Sequence, residues 1–156
     1  PDESFANKSF DDYVTEGIFA ALDGIDLATG EHQVTAIGYC IGGGFAIEHA
    51  RNGADFKGTV VFHVPLTNQV DTVNKPNIKG RVLALHGSAD PVTPKLQMDA
   101  LAEELTKAGV DWQLMMFGHA VHSFCDKGQN SDALRYDEKL CQQSYRMMRD
   151  FFAETF

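Results

Sequence analysis

Two periodicities alternate along this chain. Residues 34–38 form a short apolar run of strand character, and residues 41 to about 51 follow at once with a helical pattern that ends at Asn52-Gly53. Residues 58–64 (GTVVFHV), 81–85 (RVLAL) and 111–117 (DWQLMMF) are further strand-like runs. Between the last two, Thr93-Pro94 opens a helix with a cap residue and a proline in its first position, and Gly109 stops it after Ala108. A final helix is expected over 135–152, with Leu140, Tyr145, Met148 and Phe152 on one stripe. Near the start, Ser9 is an N-cap candidate with Asp12 three residues on. Phe10, Val14 and Ile18 keep helical spacing until Gly24. Residues 65–80 form a long loop, a length that often carries function.

Strands separated by helices predict a parallel sheet with right-handed crossovers and helices on both faces. Burial on both faces accounts for strands that are apolar almost without interruption. Ligands of such sheets bind beyond the carboxyl ends of the strands. Each strand here ends in a chemically suggestive residue: Cys40 after the first, His63 in the second, His86 and Asp90 after the third, His119 and His122 after the fourth. The candidates therefore collect at one sheet edge.

Gly38-Tyr39-Cys40-Ile41-Gly42-Gly43-Gly44 sits at the first strand-to-helix turn. This is the G-x-S-x-G nucleophile-elbow pattern with cysteine in the serine position. Glycines two residues before and two after the nucleophile are expected for steric reasons, because strand and helix approach closely there. The helix N-terminus behind Cys40 offers partial positive charge and free N–H groups to a developing anion. A cysteine nucleophile needs a base, and the base needs an acid to orient it. Asp90, in the turn His86–Pro94, and His122, in the loop after the fourth strand, supply them in that chain order.

The segments GYCIGGG, LHGSADPVTP and AVHSF, with the long final helix, resemble the dienelactone hydrolase family of α/β-hydrolases over nearly the whole chain. The resemblance implies Cys40 as nucleophile, Asp90 as acid, His122 as base and the backbone N–H of Ile41 in the oxyanion hole. It implies hydrolysis of a small-molecule ester or lactone through a thiol-acyl intermediate, without a cofactor. In dienelactone hydrolase an arginine four residues after the catalytic histidine helps bind a substrate carboxylate. Asp126 stands there in this chain and would repel one, which favours neutral or cationic esters. The family also places strands, a second oxyanion donor and a glutamate that pairs with the resting cysteine before the elbow. Residues 1–33 leave no room for them, so the chain resembles the C-terminal part of a family member. The alternative is a catalytically incomplete fragment or a non-enzymatic binding module of the same fold. An uncovered first strand would be an edge for self-association.

The 156 residues suit one domain with a sizeable core, and the net charge of -9 argues against nucleic acid or an anionic membrane as partner. No apolar run is long enough to span a membrane. Cys40, Cys125 and Cys141 are widely spaced and lack a C-x-x-C, which argues against a zinc knuckle and a disulfide framework. Reduced thiols and a cytoplasmic location follow, with Cys125 and Cys141 ordinary packing residues. Tyr39, His63, His86 and Phe124 are candidates for the substrate side, and His119 is a weaker rival of His122. No metal is expected, since none of the histidines has the i, i+4 spacing of a zincin. The glycines after the first strand also resemble a dinucleotide-binding turn. The strand that follows ends in His63-Val64-Pro65 without an acidic residue, and no tyrosine has a lysine four positions on, so that reading fails.

Overall fold

A computed structural model describes residues 34–66 and 77–156. The helix expected from Ser9 and the centre of the 65–80 loop lie outside the described residues. Residues Val34–Phe156 form one compact unit. Its strands are β1 (Val34–Tyr39), β2 (Phe56–Phe62), β3 (Arg81–Gly87) and β4 (Trp112–Phe117). Its helices are α1 (Ile41–Arg51), α2 (Lys95–Lys107) and α3 (Glu138–Thr155). The four strands lie in the order β1-β2-β3-β4, and every pair is parallel.

Helices cover both faces, as the apolar strands require. On one side Val61, Val82 and Ala84 meet Ala46 and Ile47 of α1 and Met98, Leu101 and Leu105 of α2. On the other, Val60, Phe62, Leu83, Leu85 and Phe117 meet the α3 stripe of Leu140, Tyr145, Met148, Phe151 and Phe152. Successive residues of β2 and β3 thus feed opposite cores, and each fully buried aliphatic or aromatic side chain contributes roughly 1.5–3 kcal/mol. Behind the elbow, Arg51 at the end of α1 is 2% exposed at its side chain. It donates from Nε and Nη2 to the two oxygens of Glu104 on α2, at 2.8 and 2.6 Å, and from Nη1 to Glu48. This two-pronged pair fixes α1 against α2.

Among the boundaries that differ from expectation, three have a clear local reason. β2 stops at Phe62 rather than at residue 64, because His63 takes φ 37° and leaves the extended region. α3 starts at Glu138 rather than at 135, because the Asp137 carboxylate accepts from the Leu140 N–H at 3.0 Å and caps the helix there. Thr93 does not cap α2: Pro94 occupies that position, while Thr93 is buried and turns its backbone toward Asp90 and His86.

Cys125 and Cys141 form a disulfide, with Cα atoms 4.9 Å apart. This overturns the expectation of three reduced thiols and removes the ground for a cytoplasmic location. The chain between them folds back on itself, so that Asp137 N–H bonds Phe124 O and the first turn of α3 arrives beside Cys125. Among the described residues no helix is long and apolar enough to cross a membrane. Closing a loop with a sequence separation of 16 should contribute about 3 kcal/mol. The double variant Cys125→Ser/Cys141→Ser is expected to lose that amount in urea unfolding, and an unchanged midpoint would show that the bridge does not tighten the fold.

Candidate active site

Each site residue is placed by a turn at the carboxyl end of a strand. Cys40 lies between β1 and α1 with φ 49° and ψ −127°, a left-handed conformation that a non-glycine residue holds only when its surroundings impose it. Its N–H donates to Phe62 O at 3.0 Å, and its carbonyl accepts from Gly43 and Gly44 in the first turn of α1. The steric argument for the elbow glycines applies unequally. A Cβ at Gly38 would lie 2.3 Å from Gly42 O and 2.5 Å from Gly43 Cα, both backbone atoms. A Cβ at Gly42 would meet nothing within 4 Å among the described residues. Gly38→Ala is therefore expected to lower the melting temperature sharply or prevent folding. Gly42→Ala should be tolerated and gain up to about 1 kcal/mol of helix propensity. Equal melting temperatures for the two variants would refute this division.

His122 follows β4 and is held on both sides by its own loop: its N–H donates to Ala133 O and its carbonyl accepts from Arg135 N–H. The ring is 2% exposed. Nδ1 lies 2.8 Å from Asp90 Oδ2, and Nε2 lies 3.2 Å from Cys40 Sγ. Asp90 is buried in the turn after β3, where its Oδ1 accepts from the N–H groups of Val92 (2.8 Å) and Thr93 (2.9 Å). Burial by itself raises this carboxyl. The hydrogen bonds from His122 and from Thr93, with the attraction of two imidazoles, outweigh it and leave the group below the usual carboxylate range. The structure thus brings Cys40, His122 and Asp90, far apart in sequence, into one hydrogen-bonded line. His119 is exposed and lies outside it.

A cleft of about 550 Å³ opens over this line. Tyr39, Cys40, His63 and His122 line it, together with Val92, Asp126, Lys127 and Gln129. His86 and Phe124 do not line it. His86 is wholly buried and bonds Thr93 O through Nε2 at 2.8 Å, bracing the turn that carries Asp90. Phe124 is wholly buried and packs on Phe117. Asp126 turns its carboxylate onto the Gly128 N–H and the Gln129 amide, and Lys127 also lines the cleft. Ile41 N–H belongs to the first helical turn, whose N–H groups lack an intrahelical acceptor, and it follows Cys40 directly.

His63 is the residue whose surroundings the sequence least foretells. Its ring is edge-on to those of His122 and Phe124, with centroids 5.0 and 5.3 Å away. Burial depresses this imidazole to about 4, helped by His122 and opposed by Asp90. Its ordinary value is about 6.5. The unfolded chain therefore binds more protons between these limits, and stability rises with pH across them. The contribution is complete above pH of about 6.5 and is lost toward pH 4, on the order of 3 kcal/mol in all. His63→Gln should flatten the fall of the melting temperature over that range. A parallel fall in both proteins would exclude His63 as its source.

A parallel sheet covered on both faces, with a reactive side chain on a strained strand-to-helix elbow and a histidine–carboxylate pair delivered by later strand ends, is the architecture of the α/β-hydrolases. Sequence comparison makes this more specific. The chain belongs to the dienelactone hydrolase family, whose model matches residues 3–156. It superposes with a TM-score of 0.77 on a crystal structure described as a dienelactone hydrolase-like promiscuous phosphotriesterase from metagenomic libraries. That protein is 36% identical, and the match covers 88% of this chain and 59% of that one. A poly(3-hydroxyalkanoate) polymerase of Methylorubrum extorquens is 40% identical over 80 residues, 51% of this chain and 13% of the polymerase. An uncharacterized protein of Caenorhabditis elegans is 28% identical over 130 residues, 81% of this chain and 82% of that protein. The chain thus spans 59% of the phosphotriesterase's length and far less of the polymerase's.

Proposed function

We propose that this chain carries the centre of a carboxylic ester or lactone hydrolase that works through Cys40, His122 and Asp90. The supporting observation is the continuous path from Cys40 Sγ to His122 Nε2 (3.2 Å) and from Nδ1 to Asp90 Oδ2 (2.8 Å), set on the strained elbow. Sγ attacks the carbonyl carbon while the thiol proton passes to Nε2. The carbonyl oxygen becomes an oxyanion beside the Ile41 N–H at the positive end of α1. On collapse the carbon–oxygen bond of the ester breaks, and His122 gives its proton to the leaving alcohol. Water then attacks the thioester, yielding a proton to His122, and the carbon–sulfur bond breaks to restore Cys40. Asp90 keeps the proton of the imidazole on Nδ1 and stabilises the charged ring. The Asp126 carboxylate at the cleft disfavours an anionic substrate and favours a neutral or cationic ester. The phosphotriesterase named among the relatives supports a triester phosphorus as a second electrophile for the same thiol.

The test is p-nitrophenyl acetate hydrolysis, followed beyond one equivalent of nitrophenol per chain, with mass analysis of the Cys40 peptide. Multiple turnover with a transient acetyl group on Cys40 is expected. One equivalent and no more would favour the alternative reading, in which the chain is a catalytically incomplete fragment. No acylation at all would overturn the mechanism. Self-association belongs to the same reading: β1 is an outer strand among the described residues, and Ile37 on it is exposed. Sedimentation that stays monomeric at high concentration would remove it.

A further inference from the structure

Cys40, His63 and His122 come from the ends of three strands, so no local spacing in the sequence joins them. In the structure each offers one ligand atom, and the three atoms lie within 4.8 Å of one another. We infer that these three side chains form a binding site for a thiophilic divalent cation, with Zn²⁺ the ion of best fit, and that its arrival shuts the hydrolytic centre.

Four observations carry this. One sulfur and two imidazole nitrogens match the softness of Zn²⁺, and three protein ligands leave a fourth tetrahedral position open. Bonds of about 2.0–2.3 Å place tetrahedral ligand atoms roughly 3.3–3.7 Å apart. Cys40 Sγ and His122 Nε2, at 3.2 Å, are already near that spacing, and the remaining pairs need close by no more than about 1.5 Å.

His63 supplies the second, independent sign. Its side chain is 2% exposed, and neither ring nitrogen has a hydrogen-bond partner among the described residues. A buried polar atom left unpaired is costly, and coordination would satisfy one of these two. The third is the outer shell. The Asp90 carboxylate that receives His122 Nδ1–H at 2.8 Å is also the arrangement that fixes the tautomer of a metal-ligating histidine and directs Nε2 at the ion. The fourth is access, since Cys40, His63 and His122 all line the cleft, where water can complete the coordination.

Binding forms a sulfur–metal bond and, when Cys40 is a thiol, releases its proton to the buffer. The ion then holds the sulfur and Nε2 lone pairs that hydrolysis would use. The inhibition rests on the proposed hydrolysis; the binding site does not.

The experiment is titration of the metal-free chain, with its disulfide intact, by Zn²⁺ in a calorimeter and by Co²⁺ in a spectrophotometer. One ion per chain and a thiolate-to-cobalt charge-transfer band are expected. Cys40→Ser should abolish the band. Asp90→Asn should weaken Zn²⁺ binding about 10–100-fold, the usual effect of losing an outer-shell partner, and His63→Ala should weaken it further. Circular dichroism reports whether His63→Ala is folded, and if it is not, Cys40→Ser decides the matter alone, since sulfur-to-oxygen exchange leaves the shape nearly unchanged. Absence of saturable one-to-one binding, or Cys40→Ser binding as tightly as the parent, would overturn the site. Chelator-reversible loss of p-nitrophenyl acetate turnover completes the inference. If Zn²⁺ binds and turnover persists, the inhibition is wrong and the site stands; a chain inactive toward esters leaves the titration decisive.

Discussion

Cys40→Ala is expected to lower kcat for p-nitrophenyl acetate by roughly 10⁴–10⁶-fold, with His122→Gln close to it and the double variant no worse than either. The reason for this non-additivity is geometric. Sγ and Nε2 lie 3.2 Å apart, and in the proposed mechanism they act as one proton-transferring unit, so removing either leaves the other without a task. What survives is the elbow itself: the Ile41 N–H, the end of α1 and the cleft, which can still bind and polarise a carbonyl. The first residue of the unit sits on a turn whose shape is imposed by Gly38 and by the Cys40 N–H to Phe62 O bond, so Cys40→Ala should not disturb the fold. Steady-state rates with matched melting curves check this. Additive losses, or a Cys40→Ala variant within tenfold of the parent, would put the chemistry elsewhere.

Asp90→Asn should cost about 10⁴-fold in kcat while leaving substrate binding nearly unchanged. Asparagine can still accept the Val92 and Thr93 N–H groups through its oxygen. It then presents an NH₂ group to His122 Nδ1 and forces the imidazole proton onto Nε2. In that tautomer the ring faces Cys40 with a donor and cannot take the thiol proton. Because the Asp90 carboxyl is held below the usual carboxylate range, it stays ionised at every pH at which the protein would be assayed. An acid limb in the rate profile should therefore not belong to Asp90. The stability this carboxylate adds is complete above the ordinary aspartate pKa and is lost only as pH falls through its depressed value. A fall in KM-type binding alone, with kcat kept, would make Asp90 a structural brace for the turn and nothing more.

Much of this architecture could be read from the chain because it depends on periodicity. β2 and β3 are buried on both faces, so their apolar runs are unbroken, and α3 is amphipathic, so its stripe is visible. The line Cys40–His122–Asp90 was legible because each member follows a strand in a parallel sheet, which delivers strand ends to one edge. The features that escaped depend on contacts between remote residues. The Cys125–Cys141 bridge forms because the loop after His122 doubles back to the start of α3, which spacing alone does not reveal. His63 looked like one more strand-end histidine, and only its place beside His122 and Cys40 shows a buried ring without partners. Gly42 fits the elbow motif, yet the close approach falls on Gly38. Thr93 had the residue type of a cap and is used instead by the buried Asp90 turn.

Two sulfurs of different chemistry stand on the wall of one cleft, since Cys125 lines it together with Cys40. In the proposed mechanism Cys40 must stay reduced to attack a carbonyl, whereas the Cys125–Cys141 bridge ties down the loop that follows His122. That mechanism predicts a working window in redox conditions, bounded on one side by oxidation of Cys40 and on the other by release of the loop that carries His122. A reductant added to protect the thiol can cut the tether three residues from His122, so the expected result is a loss of activity on reduction that follows the tether and a loss on oxidation that follows Cys40.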